Sequence, residues 1–467
     1  MLSKIKEAVE LLDAHKNDEI CIVSHIDADG ISSASILSKA LERRGIEHEI
    51  LFVKLDEIKN ITPSTLTIFS DLGSGQLHLL SKFKREEFII LDHHPPENIS
   101  FENLYHINPY LFGFNGSEIS GSGVSYLFAR KLSEENVNLS GLAIVGACGD
   151  QQNFGALSGL NREILMEGVK ERIISYERDL LLYGRCTRPI HKSLQYFSDP
   201  YVPGVSGTEE GSIRLLKDLK IELRNEDWRT LSDLSFNEKK NLASALIERI
   251  LSHVPSEFAT HIPKFLIGET YTLLNEEERS PLRDSNEFAT CFNACGRNQK
   301  PEVALEVGKG NRGIYFEVLL GLLRRYRKVL AEAIEVALKR GVERRDCLQV
   351  LDGTGIQDNM IGPICSMILG ENGIDPYLPI LGYTTSESDR KTLKISARCS
   401  KLLLLKGINL GKAMRRAASL ADGEGGGHAP ACGAYVRRER FEIFLNYFES
   451  LLKRQQRRGR LRLNSKG

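Results

Sequence analysis

Histidine and aspartate recur in a few short segments of this 467-residue chain. His25, Asp27 and Asp29 stand in S-H-I-D-A-D-G, Asp71 in S-D-L-G, and Asp92, His93 and His94 in L-D-H-H-P. Asp150 closes an apolar run that ends A-C-G-D. Carboxylates with a few imidazoles suit hard or borderline divalent ions such as Mn²⁺ or Mg²⁺. Acids packed that closely repel one another unless cations neutralise them. Two ions about 3.5–4 Å apart, sharing one carboxylate, activate a water and stabilise in-line displacement at phosphorus. A lone aspartate after a strand is most often a helix cap or turn former. Here three such groups each fall at the end of an apolar run, which favours a joint site. Asp92 reads either as a ligand or as an orienter of the histidines.

Other segments offer contacts to a substrate. Gly423 and Gly425 to Gly427 precede His428, and glycines let backbone N–H groups approach a phosphate closely. Gly426, Gly427 and His428 are therefore candidate phosphate contacts, the alternative being a flexible loop. Arg398, at a strand end, suits a two-pronged phosphate contact. The segment Gly121 to Ser125, with Ser122, either presents N–H groups to an anion or simply starts a helix. Asn293 and Arg297 are candidates for substrate contact. Cys291 and Cys295 share a helix face but lack a second pair, so they read as small core residues before they read as zinc ligands. Arg188 and His191 either face the site or serve the fold.

The elements that must hold these residues follow from periodicity. Glu19 to Ser24, His48 to Val53, Thr65 to Ser70 and Glu87 to Asp92 are short runs rich in Ile, Val, Leu and Phe. Such runs suit a parallel sheet covered on both faces, and helices alternate with them. Ligands in open α/β sheets sit beyond the C-terminal strand ends. Residues 1–200 therefore read as a catalytic α/β domain, mostly helical from Gly121 to Gly184. Residues 201–311 read as a mainly helical middle region and 312–341 as one connecting helix. Residues 342–452 read as a second, smaller α/β domain, with strands at Cys347 to Gly353, Tyr377 to Thr385 and Thr392 to Ser400. Residues 453–467 form a basic tail, either solvated or tracking phosphates.

Composition bounds the class. With 41% hydrophobic and 27% charged residues, the chain is neither disordered nor a small disulfide scaffold. No run approaches about 18 uncharged apolar residues, so no membrane span is expected. The first residues read as an amphipathic helix, not a signal peptide, and nine scattered cysteines suit a reducing cytoplasm. Basic and acidic residues balance at 62 each. The tail holds seven of the basic residues, so the remainder is net acidic. Two divalent ions would offset part of that acidity, so neutrality does not exclude a nucleic-acid partner.

The four His/Asp segments resemble the motifs of the DHH phosphoesterase superfamily. That superfamily includes RecJ-type exonucleases, oligoribonucleases, cyclic-dinucleotide phosphodiesterases and manganese pyrophosphatases. The second half resembles its DHHA1 substrate-binding domain, through Ser396 to Arg398 and the glycine-rich segment from Gly425 to Gly433. Cys186 to Tyr196 and Phe288 to Arg297 resemble archaeal RecJ-like proteins in particular. The resemblance spans the chain except its tail, and the first domain shows no departure from the motif pattern. It implies one metal on His25, Asp27 and Asp71, and a second on Asp29, Asp71, His93 and Asp150. His94 would contact the scissile phosphate. The implied activity is a two-metal, Mn²⁺-dependent exonuclease for single-stranded DNA or RNA in replication or repair, with Mg²⁺ as the other metal. The cleft between the two α/β domains would hold the strand. Two alternatives stand: a phosphodiesterase for cyclic dinucleotides or very short RNAs, and a mainly binding component of a GINS or replicative-helicase complex.

Overall fold

The apolar runs of the first hundred residues build a parallel sheet. In the computed structural model, which describes residues 1–371 and 373–464, helix α1 (Leu2–Ala14) leads into strand β1 (Ile20–His25). There follow α2 (Ala28–Arg43), β2 (Glu49–Val53), β3 (Leu66–Ser70), α3 (Leu77–Leu80), β4 (Glu87–Leu91) and β5 (Leu104–Ile107). The five strands are parallel, in the order β2-β1-β3-β4-β5. Every residue of β3 is buried, as a strand covered on both faces requires. The edge strand β2 alternates exposed with shielded residues. Strand order reverses at β1, with β2 on one side and β3 on the other. The crevice of such a sheet opens at the C-terminal ends of those strands. His25 ends β1, and Asp71 directly follows β3.

Three helices follow: α4 (Gly121–Leu132), α5 (Ser140–Gly149) and α6 (Gly159–Lys170). Helix α2 packs on α4 and α5. Residues Ser140 to Cys148 of α5 are all buried. Two strands depart from the expected pattern. β5 is four residues long and includes a histidine, too short and too polar to stand out. β6 (Ile174–Leu180) interrupts the region expected to be helical. It carries Glu177, Arg178 and Asp179 and pairs with β7 (Ile267–Leu273) in a two-stranded sheet that leaves Glu177 and Arg178 exposed and buries Asp179.

Helices α7 (Ile190–Gln195), α8 (Glu209–Asp218), α9 (Phe236–Leu251) and α10 (Ile262–Leu266) precede β7. α11 (Ser285–Arg297), α12 (Pro301–Gly308) and the long α13 (Ile314–Arg340) follow it. Contacts divide the chain into one unit of Met1–Thr187 with Gly268–Tyr326, and a second of Arg188–Ile267 with the chain from Arg327 onward. The stretch 201–311, expected as one region, is thus split at Ile267. The reason is long-range pairing. Buried Arg185 meets Asp284 at 3.1 Å across 99 positions of sequence, and the Cys186 N–H donates to Glu287 across 101.

The second unit ends in a six-stranded sheet, ordered β12-β13-β11-β10-β9-β8. Its elements are β8 (Glu343–Arg344), β9 (Gln349–Asp352), α14 (Ile361–Met367), β10 (Ile380–Thr385), β11 (Thr392–Arg398), α15 (Lys401–Leu405), α16 (Leu410–Leu420), β12 (Glu424–Gly427), β13 (Ala431–Arg437) and α17 (Phe441–Asn464). The β9–β10 pair is parallel and the other pairs are antiparallel. Met414 of α16 and Phe444 and Phe448 of α17 sit in its core. The glycine-rich segment is not a loop: Glu424–Gly427 is an edge strand paired to β13. The basic tail also starts later than residue 453. Helix α17 continues to Asn464, with Leu452 buried and Lys453 paired with Asp346 at 2.6 Å. Lys466 lies outside the described residues. All nine cysteines are free thiols. Among the described residues no helix is long and apolar enough to cross a membrane.

Candidate metal centre

The ends of β1, β3 and β4 bring the expected residues together. Asp27 caps α2, its carboxylate accepting the Gly30 N–H at 3.0 Å. Gly30 has no alternative, since a Cβ there would overlap the His25 carbonyl. Asp71 adopts a left-handed backbone conformation, φ 60°, which turns its side chain back toward the strand ends. His25, Asp27 and Asp71 form one potential ligand group. Asp29, His93 and Asp150 form a second, and Asp71, His93 and His94 a third. His93 Nε2 stands 3.4 Å from Asp71, 3.7 Å from Asp29 and 3.7 Å from Asp150. His25 Nδ1 is 2.9 Å from Asp27 and 3.8 Å from Asp71.

Each of these side chains is held by something outside the cluster. His93 Nδ1 donates to the Gly116 carbonyl at 2.8 Å, which leaves Nε2 facing the carboxylates. Asp29 accepts the N–H groups of Gly121 at 2.7 Å and Ser122 at 2.9 Å, at the start of α4. This corrects the reading of Ser122 as a substrate contact. The anion at that helix start is Asp29 itself, and Ser122 is fully buried with its hydroxyl donating to the Ala143 carbonyl. Asp92 does not enter the cluster. Its oxygens accept from the N–H groups of Ser74 and His93, and from His94 Nδ1 at 2.8 Å. Asp92 therefore orients His94, whose side chain is 44% exposed at the edge of the group.

The electrostatics point the same way. Burial, then the charges of Asp29 and Asp27, push the Asp71 carboxyl well above the usual carboxylate range. Burial also raises Asp29, with Asp150 adding to it. Burial opposes charge on His93, but Asp71, Asp150 and Asp29 outweigh it and raise its pKa strongly. Two buried atoms of this cluster, Asp71 Oδ1 and His93 Nε2, have no hydrogen-bond partner among the described residues. An unsatisfied buried polar atom costs about 1–3 kcal/mol. A divalent cation bound by both would satisfy the pair and the crowded acids together, so the residues present fit a metal.

Several residues of this site carry no motif signal. Gln152 donates to Asp150 at 2.8 Å and to the Gly116 carbonyl at 2.9 Å, bracing Asp150 and His93 at once. Asn108 donates to the His94 carbonyl and to Ser74 Oγ, both at 2.8 Å, and Ser74 Oγ also meets His106 Nε2. Asn293 accepts the Ala28 N–H at 3.0 Å, so it supports the start of α2. Arg297 donates to the Tyr326 hydroxyl and stacks on its ring, an interaction that holds α11 to α13.

The remaining candidates lie in the second unit. Arg398 is fixed by Ser366 Oγ at 3.1 Å and by the carbonyls of Ala397 and Cys432. Gly426 is in β12, and Gly427, φ 119°, turns the hairpin at whose tip His428 is exposed. Arg188 stacks on Tyr196, and buried His191 lies against Trp228, which supports their structural reading. Cys291 and Cys295 are fully buried, and no potential metal group among the described residues includes them.

A parallel sheet with His/Asp clusters at its switch point, followed by a second sheet domain, defines a class that family models match in three places. Residues 19–147 match the DHH family N-terminal domain, 182–261 the DHH-CID domain and 346–454 the DHHA1 domain. The chain belongs to the DHH/DHHA1 superfamily. It is 32% identical to an uncharacterized protein of Methanocaldococcus jannaschii, over 98% of this chain and 100% of that protein. Among solved structures it resembles RecJ of Thermus thermophilus in complex with Mn²⁺, with TM-score 0.58 and 18% identity over 97% of this chain. This chain spans 55% of that RecJ's length. It also resembles CDC45 from Entamoeba histolytica, with TM-score 0.61 and 13% identity over 97% of this chain and 99% of that one. At such identities the likeness establishes the fold.

Proposed function

We propose that the chain is a divalent-metal-dependent phosphodiesterase that hydrolyses single-stranded DNA or RNA in replication or repair, with Mn²⁺ or Mg²⁺ as its metal. The observation that carries this reading is the sharing of Asp71 and His93 among three ligand groups, with their unpartnered atoms 3.4 Å apart. One ion would take His25, Asp27 and Asp71, and a second Asp29, Asp71, His93 and Asp150. Such ions lower the pKa of a water and neutralise charge on a phosphate. The chain's own groups supply the rest. Helix α4 fixes Asp29 through two N–H groups. Asp92 accepts from His94 Nδ1, so the imidazolium form of His94 would have its Nε2–H left to donate to a phosphate oxygen. Arg398 and His428 are donors suited to neighbouring phosphates. Similarity to RecJ in complex with Mn²⁺, and to an exonuclease RecJ bound to manganese, supports the metal and an exonuclease activity. Asp29→Ala and Asp71→Ala, assayed with Mn²⁺ on a single strand of roughly 20 nucleotides, are expected to lose cleavage. Near-wild-type cleavage by either variant would show the mechanism to be wrong. Faster turnover of a dinucleotide than of the long strand would favour the small-substrate alternative.

A second reading has its own support. Similarity to CDC45 extends over nearly the whole of both chains, and a DHH-CID domain is matched. In that reading the protein acts chiefly by binding within a GINS or replicative-helicase complex. Co-elution with GINS, together with no hydrolysis under any divalent ion, would favour it.

A further inference from the structure

Helix α16 buries Leu410, Ala413, Met414, Ala417 and Ala418 against the second sheet. Its other face exposes Lys412, Arg415, Arg416 and Ser419, which line a shallow surface concavity with Leu420. No acid lines that concavity. None of its three cations has an ion-pair partner among the described residues. Exposed helices elsewhere in the chain carry their own counter-charges: Arg214 with Glu210, Lys328 with Glu332, Lys339 with Glu335. Like charges three and four positions apart repel along a helix, and an external polyanion would relieve that repulsion on the α16 face. The start of α16 is also tied to the hairpin of Gly427 and His428. The Gly411 N–H donates to the His428 carbonyl at 3.0 Å and the Leu410 N–H to the Ala429 carbonyl at 2.9 Å.

We infer that α16 is a phosphate track, on which Lys412, Arg415 and Arg416 bind the backbone of a single-stranded nucleic acid beyond the His428 hairpin. This rests on the substrate class proposed above. Lys412 and Arg416 stand one turn apart, about 6 Å along the helix axis, comparable to the step between successive phosphates of an extended strand. An anionic membrane fits less well, because the face offers Leu420 but no aromatic residue to insert.

The test is binding of a fluorescein-labelled oligothymidylate by the full chain in EDTA, which separates binding from turnover. K412A/R415A/R416A is expected to bind roughly 10- to 100-fold more weakly at low salt, and its salt slope to fall by about 2, from about 0.7 per phosphate contact. R415K/R416K, which keeps the charge, is expected to retain the slope. Unchanged affinity and slope in the triple variant overturn the track, as does a wild-type chain that does not bind the strand. Loss of binding to phosphatidylserine vesicles, with oligonucleotide binding intact, overturns it in favour of a membrane. A wild-type chain that binds the strand but fails to cleave it with Mn²⁺ breaks the hydrolase reading and leaves the track standing.

Discussion

In the first unit Asp29, Asp71 and His93 are each 2% exposed, while in the second His428 and the cations of α16 stand in solvent. The two regions are built on opposite terms. Around the metal centre each side chain is braced from a different element: Asp29 by α4, His93 by Gly116, His94 by Asp92, Asp150 by Gln152. Burial there concentrates charge and fixes geometry, at a cost to the metal-free protein. The second region carries its charges where water solvates them and where a flexible polymer can reach them. Chemistry calls for the first arrangement; holding a long substrate calls for the second.

Substitutions sharpen that contrast, and the largest effects belong to the buried centre. Asp71→Asn is expected to lower Mn²⁺-dependent cleavage by about 10³-fold or more, since both proposed ion sites use it. A kinetic assay showing less than a tenfold loss would remove Asp71 from the centre. His94→Ala should lower kcat by about 10²-fold, read in single-turnover assays. Arg398→Ala should raise KM for a long strand roughly tenfold, the scale of one charge-assisted contact, with a smaller effect on kcat. Asn108→Ala should lower kcat by roughly threefold to tenfold with KM little changed, because Asn108 braces His94 and not the substrate.

The smallest effect reads the cost of the centre itself. The Asp71 carboxyl is raised in the folded protein by burial and by Asp29 and Asp27. A raised carboxyl carries no penalty below its unfolded pKa and the full penalty above its folded one. In metal-free protein at neutral pH, Asp71→Asn should therefore raise Tm by roughly 2–4 °C. The gain should fade as pH drops below about 4, where the wild-type carboxyl becomes protonated in both states. Mn²⁺ should raise Tm of the wild type and leave the variant nearly unmoved. Thermal scans across pH, with and without metal, give all of these values.

The sequence showed the centre more clearly than its supports. Apolar runs ending in His or Asp marked β1, β3 and β4, and the polar residues at their ends proved to converge. Ser122 was misread because its partner, Asp29, is 93 positions away and a helix start carries no mark of which anion it holds. Gln152, Ser74 and Asn108 were missed for the same reason: neutral hydrogen-bonding side chains have no spacing rule. The division of residues 201–311 depends on Arg185 reaching Asp284, a pairing that local periodicity cannot show. β6 escaped because a two-stranded, half-wet sheet needs no continuous apolar run.

The most direct test is a product ladder from end-labelled single-stranded DNA and RNA incubated with the full chain and Mn²⁺. Stepwise shortening that requires the metal and disappears in Asp71→Asn is the predicted result. An intact strand under Mn²⁺ and Mg²⁺ alike, bound but never cut, would contradict the account.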